Sequence, residues 1–197
     1  MPYIGPKPST ITSFADADDN TKIQVEESSD ENIIRFDTAG TEAMKIDSNG
    51  IVTKPLQPCF QGNPSSQQNN IAFNSYVQIV FGTEVYDVNS DFASNQFTAP
   101  VDGKYYLSGQ ILFSNMSSGY NYYQMVIITG GSTYRRFALD SATMTGTSGY
   151  YMVGGSAVFD MDAGDTADAR VTLDTTGSGS STIDISTHSH FSGFLIG

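Results

Sequence analysis

The side chains in this sequence that could do chemistry are few. Its only two histidines form His188-Ser-His190. In an extended strand, alternation puts both imidazoles on one face with Phe194 and Ile196. Three copies turning that face toward a common axis would present six imidazoles, the ligand number of an octahedral transition metal. Ordinary packing or a wet loop end is the competing account of the pair. Tyrosines cluster at Tyr120, Tyr122 and Tyr123, at Tyr134 beside Arg135 and Arg136, and at Tyr150 and Tyr151. Among Gly, Ser and Asn, such residues supply flat amphipathic contact area at little entropic cost. Tyr120, Tyr122, Tyr134, Arg135, Arg136 and Tyr150 are therefore candidate receptor contacts, with core packing as the alternative for some of them.

Catalysis finds little footing. The sequence holds no Gly-x-Ser-x-Gly elbow, no His-Glu-x-x-His, no phosphate loop and no dinucleotide fingerprint. Cys59, the single cysteine, lies near prolines and far in sequence from both histidines, which argues against a thiol nucleophile. Paired carboxylates could cleave glycosides, but no spacing singles out a pair, and Glu84 is the only glutamate after residue 58. The expectation is a non-enzyme.

The elements that must position these residues follow from composition and pattern. Nine Lys and Arg stand against 21 Asp and Glu in 197 residues, a formal charge of −12. No basic patch exists to neutralise phosphates, so nucleic acid and anionic membrane are poor partners. No apolar run approaches a membrane span, and the start Met1-Pro-Tyr-Ile-Gly-Pro-Lys-Pro lacks the apolar core of a secretion signal. A soluble protein not routed through a signal peptide is expected. One cysteine allows no intramolecular disulfide, leaving packing, association or metal to hold the chain together.

Pro2, Pro6 and Pro8 make the first dozen residues an extended arm. Between Thr21 and Val52 come short alternating segments, and Arg35-Phe-Asp-Thr-Ala-Gly40 superposes on Lys45-Ile-Asp-Ser-Asn-Gly50 at a ten-residue offset. Gly40 and Gly50 suit a positive-φ turn, and Asp37 and Asp47 can accept from backbone N–H groups just downstream. Strands this short need neighbours, which points to a shaft in which several copies wind together and pair. Lys54-Pro-Leu-Gln-Pro58 marks the boundary. After a polar loop over residues 61–70, strands are expected over 71–73, 77–81, 104–113, 122–129, 134–139, 150–159, 167–173, 183–185 and 191–196. Many short strands and no helical period indicate an antiparallel sandwich or jelly roll.

The run Gln96-Phe-Thr-Ala-Pro-Val-Asp-Gly-Lys-Tyr-Tyr-Leu107 resembles the signature of the complement globular-head family, whose jelly roll is shared with tumour necrosis factor ligands. Phe97, Pro100, Gly103 and Tyr105 carry the match. Ile79-Val-Phe-Gly-Thr-Glu-Val-Tyr-Asp87 with Phe92, Ala163-Gly-Asp-Thr-Ala-Asp-Ala-Arg-Val171 and Phe191-Ser-Gly-Phe-Leu-Ile196 match its other blocks in order. The resemblance implies an all-β, ten-strand-type jelly roll over residues 59–197 and a homotrimer. It also invites calcium at Asp160-Met-Asp162-Ala-Gly-Asp165-Thr-Ala-Asp168, chiefly through Asp162 and Asp165, although this is no EF-hand. A solvated hairpin turn is the plainer account. No Gly-X-Y stalk is present. In its place, the block over residues 19–50 is similar to segments of virion fibre proteins of marine bacteriophages, cyanophages especially.

Together these imply a phage virion protein. Residues 1–58 form an arm and trimeric β-repeat shaft that docks on a tail or capsid protein, and the head binds a host-surface glycan or protein. A trimeric capsid decoration, cement or head-fibre protein is the alternative. A trimer would carry about −36, three times the chain value, and resist nonspecific clumping.

Overall fold

The computed structural model describes residues 13–25, 27–116, 119–131, 133–141, 149–176 and 181–197, with the side chains of Thr133 and Tyr134 left out. The arm expected over the first dozen residues lies outside them. The chain divides into two units between Leu56 and Gln57, two residues before the boundary read from the prolines. Gln57 and Pro58 go with the second unit because they bond its last strand: Leu195 N–H donates to the Pro58 carbonyl at 3.0 Å, and Gln57 Nε2 donates to the Leu195 carbonyl at 2.7 Å.

In the first unit, β1 (Ser13–Ala15), β2 (Lys22–Gln24), β3 (Ile34–Thr38), β4 (Thr41–Ile46) and β5 (Val52–Thr53) form one antiparallel sheet in chain order. The short repeats therefore pair within a single chain, where the sequence suggested pairing between chains. Register places Phe14, Ile23, Phe36 and Met44 in one cross-strand row. Ile34, Ile46 and Val52 form the next row on the same face. Ser13, Gln24, Arg35, Lys45 and Thr53 make a row on the opposite face. There Arg35 pairs with Glu31 at 2.7 Å and Glu42 at 3.2 Å.

The two repeat turns differ. Gly40 and Gly50 both adopt positive φ, 77° and 80°. Asp47 Oδ1 accepts from the N–H groups of Asn49 and Ile51, each at 2.9 Å. Asp37 makes no such bond. A register shift between Phe36 and Asp37 turns it toward Gln24, whose Nε2 lies 3.4 Å from Asp37 Oδ2, and Asp37 Oδ1 is buried without a partner.

The second unit is a two-sheet sandwich built from β6 (Cys59–Asn63), β7 (Val77–Gln78), β8 (Thr83–Asp87), β9 (Phe92–Ala93), β10 (Gln96–Thr98), β11 (Gly103–Ser114), β12 (Tyr122–Thr129), β13 (Thr133–Asp140), β14 (Tyr151–Met161), β15 (Thr166–Asp174), β16 (Asp184–Ile185) and β17 (His190–Leu195). One sheet runs β13-β12-β15-β10-β9, with β7 also on β15; the other runs β14-β11-β17-β6-β8, with β16 also on β11. Most consecutive strands cross between sheets, as in a jelly roll, while β9-β10, β12-β13 and β16-β17 each stay within one sheet.

An aromatic cluster fills the space between them. Phe60 stacks on Phe92 at 4.8 Å and Phe97 at 4.7 Å, and Phe191 meets it edge-on at 5.1 Å. Tyr105, fully buried, packs on Phe97 and donates its hydroxyl proton to the Val101 carbonyl at 2.8 Å. The two aromatic residues of the family signature, Phe97 and Tyr105, thus lie in the core, each large ring contributing about 2 to 3 kcal/mol by burial, while Pro100 is exposed and Gly103 half-buried. The segment expected as loop from residue 61 is strand through Asn63, since pairing with β17 satisfies its backbone. The loop proper is pinned by buried Asp184, which accepts from Asn70 N and from the side chains of Gln67 and Asn115.

Candidate functional site

The outer face of the β13-β12-β15-β7 sheet gathers more of the candidate residues than any other described surface. On β12, Tyr123, Met125 and Ile127 are fully buried in the core, so alternation turns Tyr122, Gln124, Val126 and Ile128 outward. Register then builds three cross-strand rows. Arg136, Val126, Arg170 and Gln78 form one, Ala138, Gln124 and Thr172 the next, and Asp140, Tyr122 and Asp174 the third. An arginine row and an aspartate row flank a row of small and amide side chains.

Two of the head's four basic residues stand in the first row. Arg170 makes a two-pronged pair with Asp168, Nε to Oδ1 at 2.7 Å and Nη2 to Oδ2 at 2.8 Å. That contact raises the guanidinium pKa further above its ordinary value. Gln96 Nε2 donates to the same carboxylate at 3.0 Å, and Asp168 itself is buried. The ring of exposed Tyr76 lies 6.0 Å from the Arg136 guanidinium, and its hydroxyl accepts from Nη2 at 2.8 Å. Buried Gln124 leaves Oε1 without a partner.

The other candidates fall elsewhere. Tyr120 is half-buried, with its ring 5.2 Å from Tyr123 and 5.4 Å from Phe73, and burial raises its pKa. It packs on the core margin. Arg135, opposite Ile127, points to the inner side of its edge strand, 5.7 Å over the Phe159 ring. Tyr134 lies opposite Ile128 in the backbone register, and its side chain is outside the described residues. Tyr150, just before β14, is 73% exposed.

Only one of the two histidines lies on the closing strand. His188 occupies the preceding turn, exposed, with Nδ1 3.2 Å from the Ser186 hydroxyl. The chain is not extended there, so alternation does not align the pair. His190, Ser192 and Phe194 share the outer face of β17, and burial lowers the His190 pKa. On this second face Val158, Tyr106, Phe194 and Cys59 form an apolar row across β14, β11, β17 and β6. The Tyr106 and Phe194 rings meet tilted, with centroids 5.2 Å apart. A row of Ser156, Ser108, Ser192, Gln61 and Tyr86 adjoins it. Burial, with Asp87 nearby, raises the Cys59 thiol pKa and leaves a poor nucleophile.

The aspartates proposed for calcium are divided among structural tasks. Asp160 pairs with Lys104 at 3.2 Å, and Asp168 holds Arg170. Asp162 and Asp165 close the β14 to β15 turn, where Asp165 N–H donates to the Asp162 carbonyl at 2.9 Å and Gly164 takes φ 91°. Among the described residues no three His, Cys, Asp or Glu side chains converge on one point, so this donor set does not fit a calcium cage within one chain.

Sequence reasoning missed Tyr76, Gln124 and Arg170, and read Asp168 only as part of the calcium cluster, not as the partner of Arg170. A signal existed for that pair: Asp168, Arg170, Thr172 and Asp174 alternate with Ala167, Ala169, Val171 and Leu173, which marks a polar outer face before any partner is known.

Comparison with known proteins agrees with this architecture. The model of the C1q domain family matches residues 63–196. The globular domain of zebrafish complement 1qA protein is similar in structure, with TM-score 0.51 and 22% identity over 72% of this chain and 98% of that one. Murine APRIL superposes with TM-score 0.48 and 16% identity over 71% and 98% of the two chains. No curated protein matches the chain.

Proposed function

This chain belongs to the C1q domain family over residues 63–196, and from that premise we propose that it is a non-enzymatic, homotrimeric phage virion fibre protein whose head binds a host-surface glycan or protein. The recognition surface is the outer face of the β13-β12-β15-β7 sheet. The observation that carries this reading is the placement of Arg136 and Arg170 in one row, with Tyr76 on Arg136 and Tyr122 two rows away on the same face, on a chain of net charge −12. Arg and Tyr are the residue types that dominate binding energy at interfaces. The row of opposite charge, Asp140 and Asp174, offers acceptors for hydroxyl groups.

The trimer is assigned to the opposite side of the sandwich. The Val158, Tyr106, Phe194 and Cys59 row is apolar and flat, with a serine-rich margin, as a subunit interface should be. The two surfaces lie on different sheets, so association leaves the recognition face open, and three identical sites raise avidity. Support for the virion role comes from the resemblance of residues 19–50 to marine phage fibre segments, and the N-terminal part is the proposed attachment to the particle.

The test is adsorption. Purified full-length protein, added to host cells before the phage, reduces plaque formation in a saturable way if the reading holds. No reduction at saturating protein, with many copies per particle by quantitative mass spectrometry, would transfer the assignment to a capsid decoration protein.

A further inference from the structure

We infer that the apolar face of the N-terminal five-stranded sheet is buried against the same face of the other copies in the trimer, as three single-layer sheets packed face to face around one axis. This rests on the trimeric reading above and says how the first unit takes part in it. The sequence suggested that these strands pair from chain to chain. Their pairing within one chain removes that need, and what remains unsatisfied is a face.

The sheet has one layer. A stable sheet buries its hydrophobic side against another element, yet among the described residues four of the seven side chains in the Phe14 and Ile34 rows are exposed, and Phe36, Met44 and Ile46 are half-buried. Phe14 is 70% exposed, Val52 53%, Ile23 45% and Ile34 40%. Neither row contains a charged residue, whereas the opposite face holds Arg35, Lys45 and Glu42 in a paired network.

Charge and area choose the occupant. Residues 1–58 hold ten acidic against five basic side chains, so copies of this unit repel one another except through the uncharged face. From the exposures and typical side-chain areas, that face offers on the order of 500 Å² per copy, against roughly 800 Å² per partner in a standard stable interface. It is too small to hold two free chains together and suited to a contact that adds to one made elsewhere in the same assembly. With the apolar faces inward, the Arg35 network faces water in every copy.

Cross-linking of the full-length chain tests this. In a Cys59→Ser background, Ile23→Cys lies in the middle of the apolar face and Thr53→Cys on the opposite one. A bismaleimide of about 10 Å reach matches the spacing of packed sheets. The expected result is cross-linked chain pairs for Ile23→Cys, in a yield independent of protein concentration, and single chains for Thr53→Cys. A native mass of three chains with no cross-link at Ile23→Cys would overturn the inference and leave the trimer standing, since something other than a copy then covers the face. Equal cross-linking of the two variants, or a yield rising with concentration, would also overturn it. A native mass of one chain would remove the trimer itself.

Discussion

At the scale of single residues, burial and pairing set two measurable properties. His190 has its pKa lowered by burial, so the folded chain resists a proton that the unfolded chain accepts near pH 6.5. Above that pH the residue contributes no pH dependence. As pH falls through the ordinary histidine value toward the lowered one, stability is lost. We expect the melting temperature of wild type to fall more between pH 7.5 and 5.5 than that of His190→Gln, and parallel curves would contradict this. Asp168 anchors Arg170 and Gln96 from a buried position. Asp168→Asn removes the charge that the half-buried guanidinium faces and should cost about 2 to 3 kcal/mol in chemical denaturation, at the low end for a buried pair because Arg170 stays partly in water. Little of this was legible beforehand. His190 was singled out, but the turn at His188 depends on Ser186 and on the end of β16. Asp168 looked like one more carboxylate in an acidic run, although alternation along β15 puts it on the same face as Arg170, two residues on.

Elements were more legible where they are long. Strands β11, β12, β14 and β15 follow from alternation, and β12 spans the expected residues 122–129. The short, polar β6, β8, β9 and β10 were missed because their order comes from partners. Cys59 to Asn63 becomes a strand only against Phe191 to Phe194. That contact also explains a glycine. A Cβ on Gly193 would lie 2.5 Å from Leu107 Cδ2, 2.9 Å from Phe60 Cε1 and 2.9 Å from the Tyr106 carbonyl oxygen. Gly193→Ala should therefore destabilise the head by about 1 to 3 kcal/mol, read as a lower denaturation midpoint with unchanged slope. In the first unit, the Ser28 hydroxyl, the Glu27 backbone and Arg35 lower the Glu31 pKa to about 2. This sheet should lose stability as pH falls from about 4.5 toward 2, and Glu31→Gln should flatten that acid transition when followed by circular dichroism. An unchanged transition would mean that the contact adds nothing to folding.

For the whole molecule, the family membership of residues 63–196 was readable from four spaced blocks, and those blocks are now seen as the aromatic core and the strands around it. The proposed recognition face was half readable. Tyr122 and Arg136 were singled out by residue type, while Tyr76 and Arg170 join them only through sheet register, 46 and 34 residues away from Tyr122 and Arg136 respectively. The proposed function assigns host-surface recognition to this face. A binding isotherm of labelled full-length protein on host cells tests it most directly, with wild type beside the double variant Tyr122→Ala/Arg136→Ala, both checked for native mass and melting temperature. Saturable binding by wild type is expected, with at least a tenfold weaker isotherm for the folded variant, equivalent to about 1.4 kcal/mol or more. Equal isotherms, or no saturable binding by a folded trimer, would contradict it.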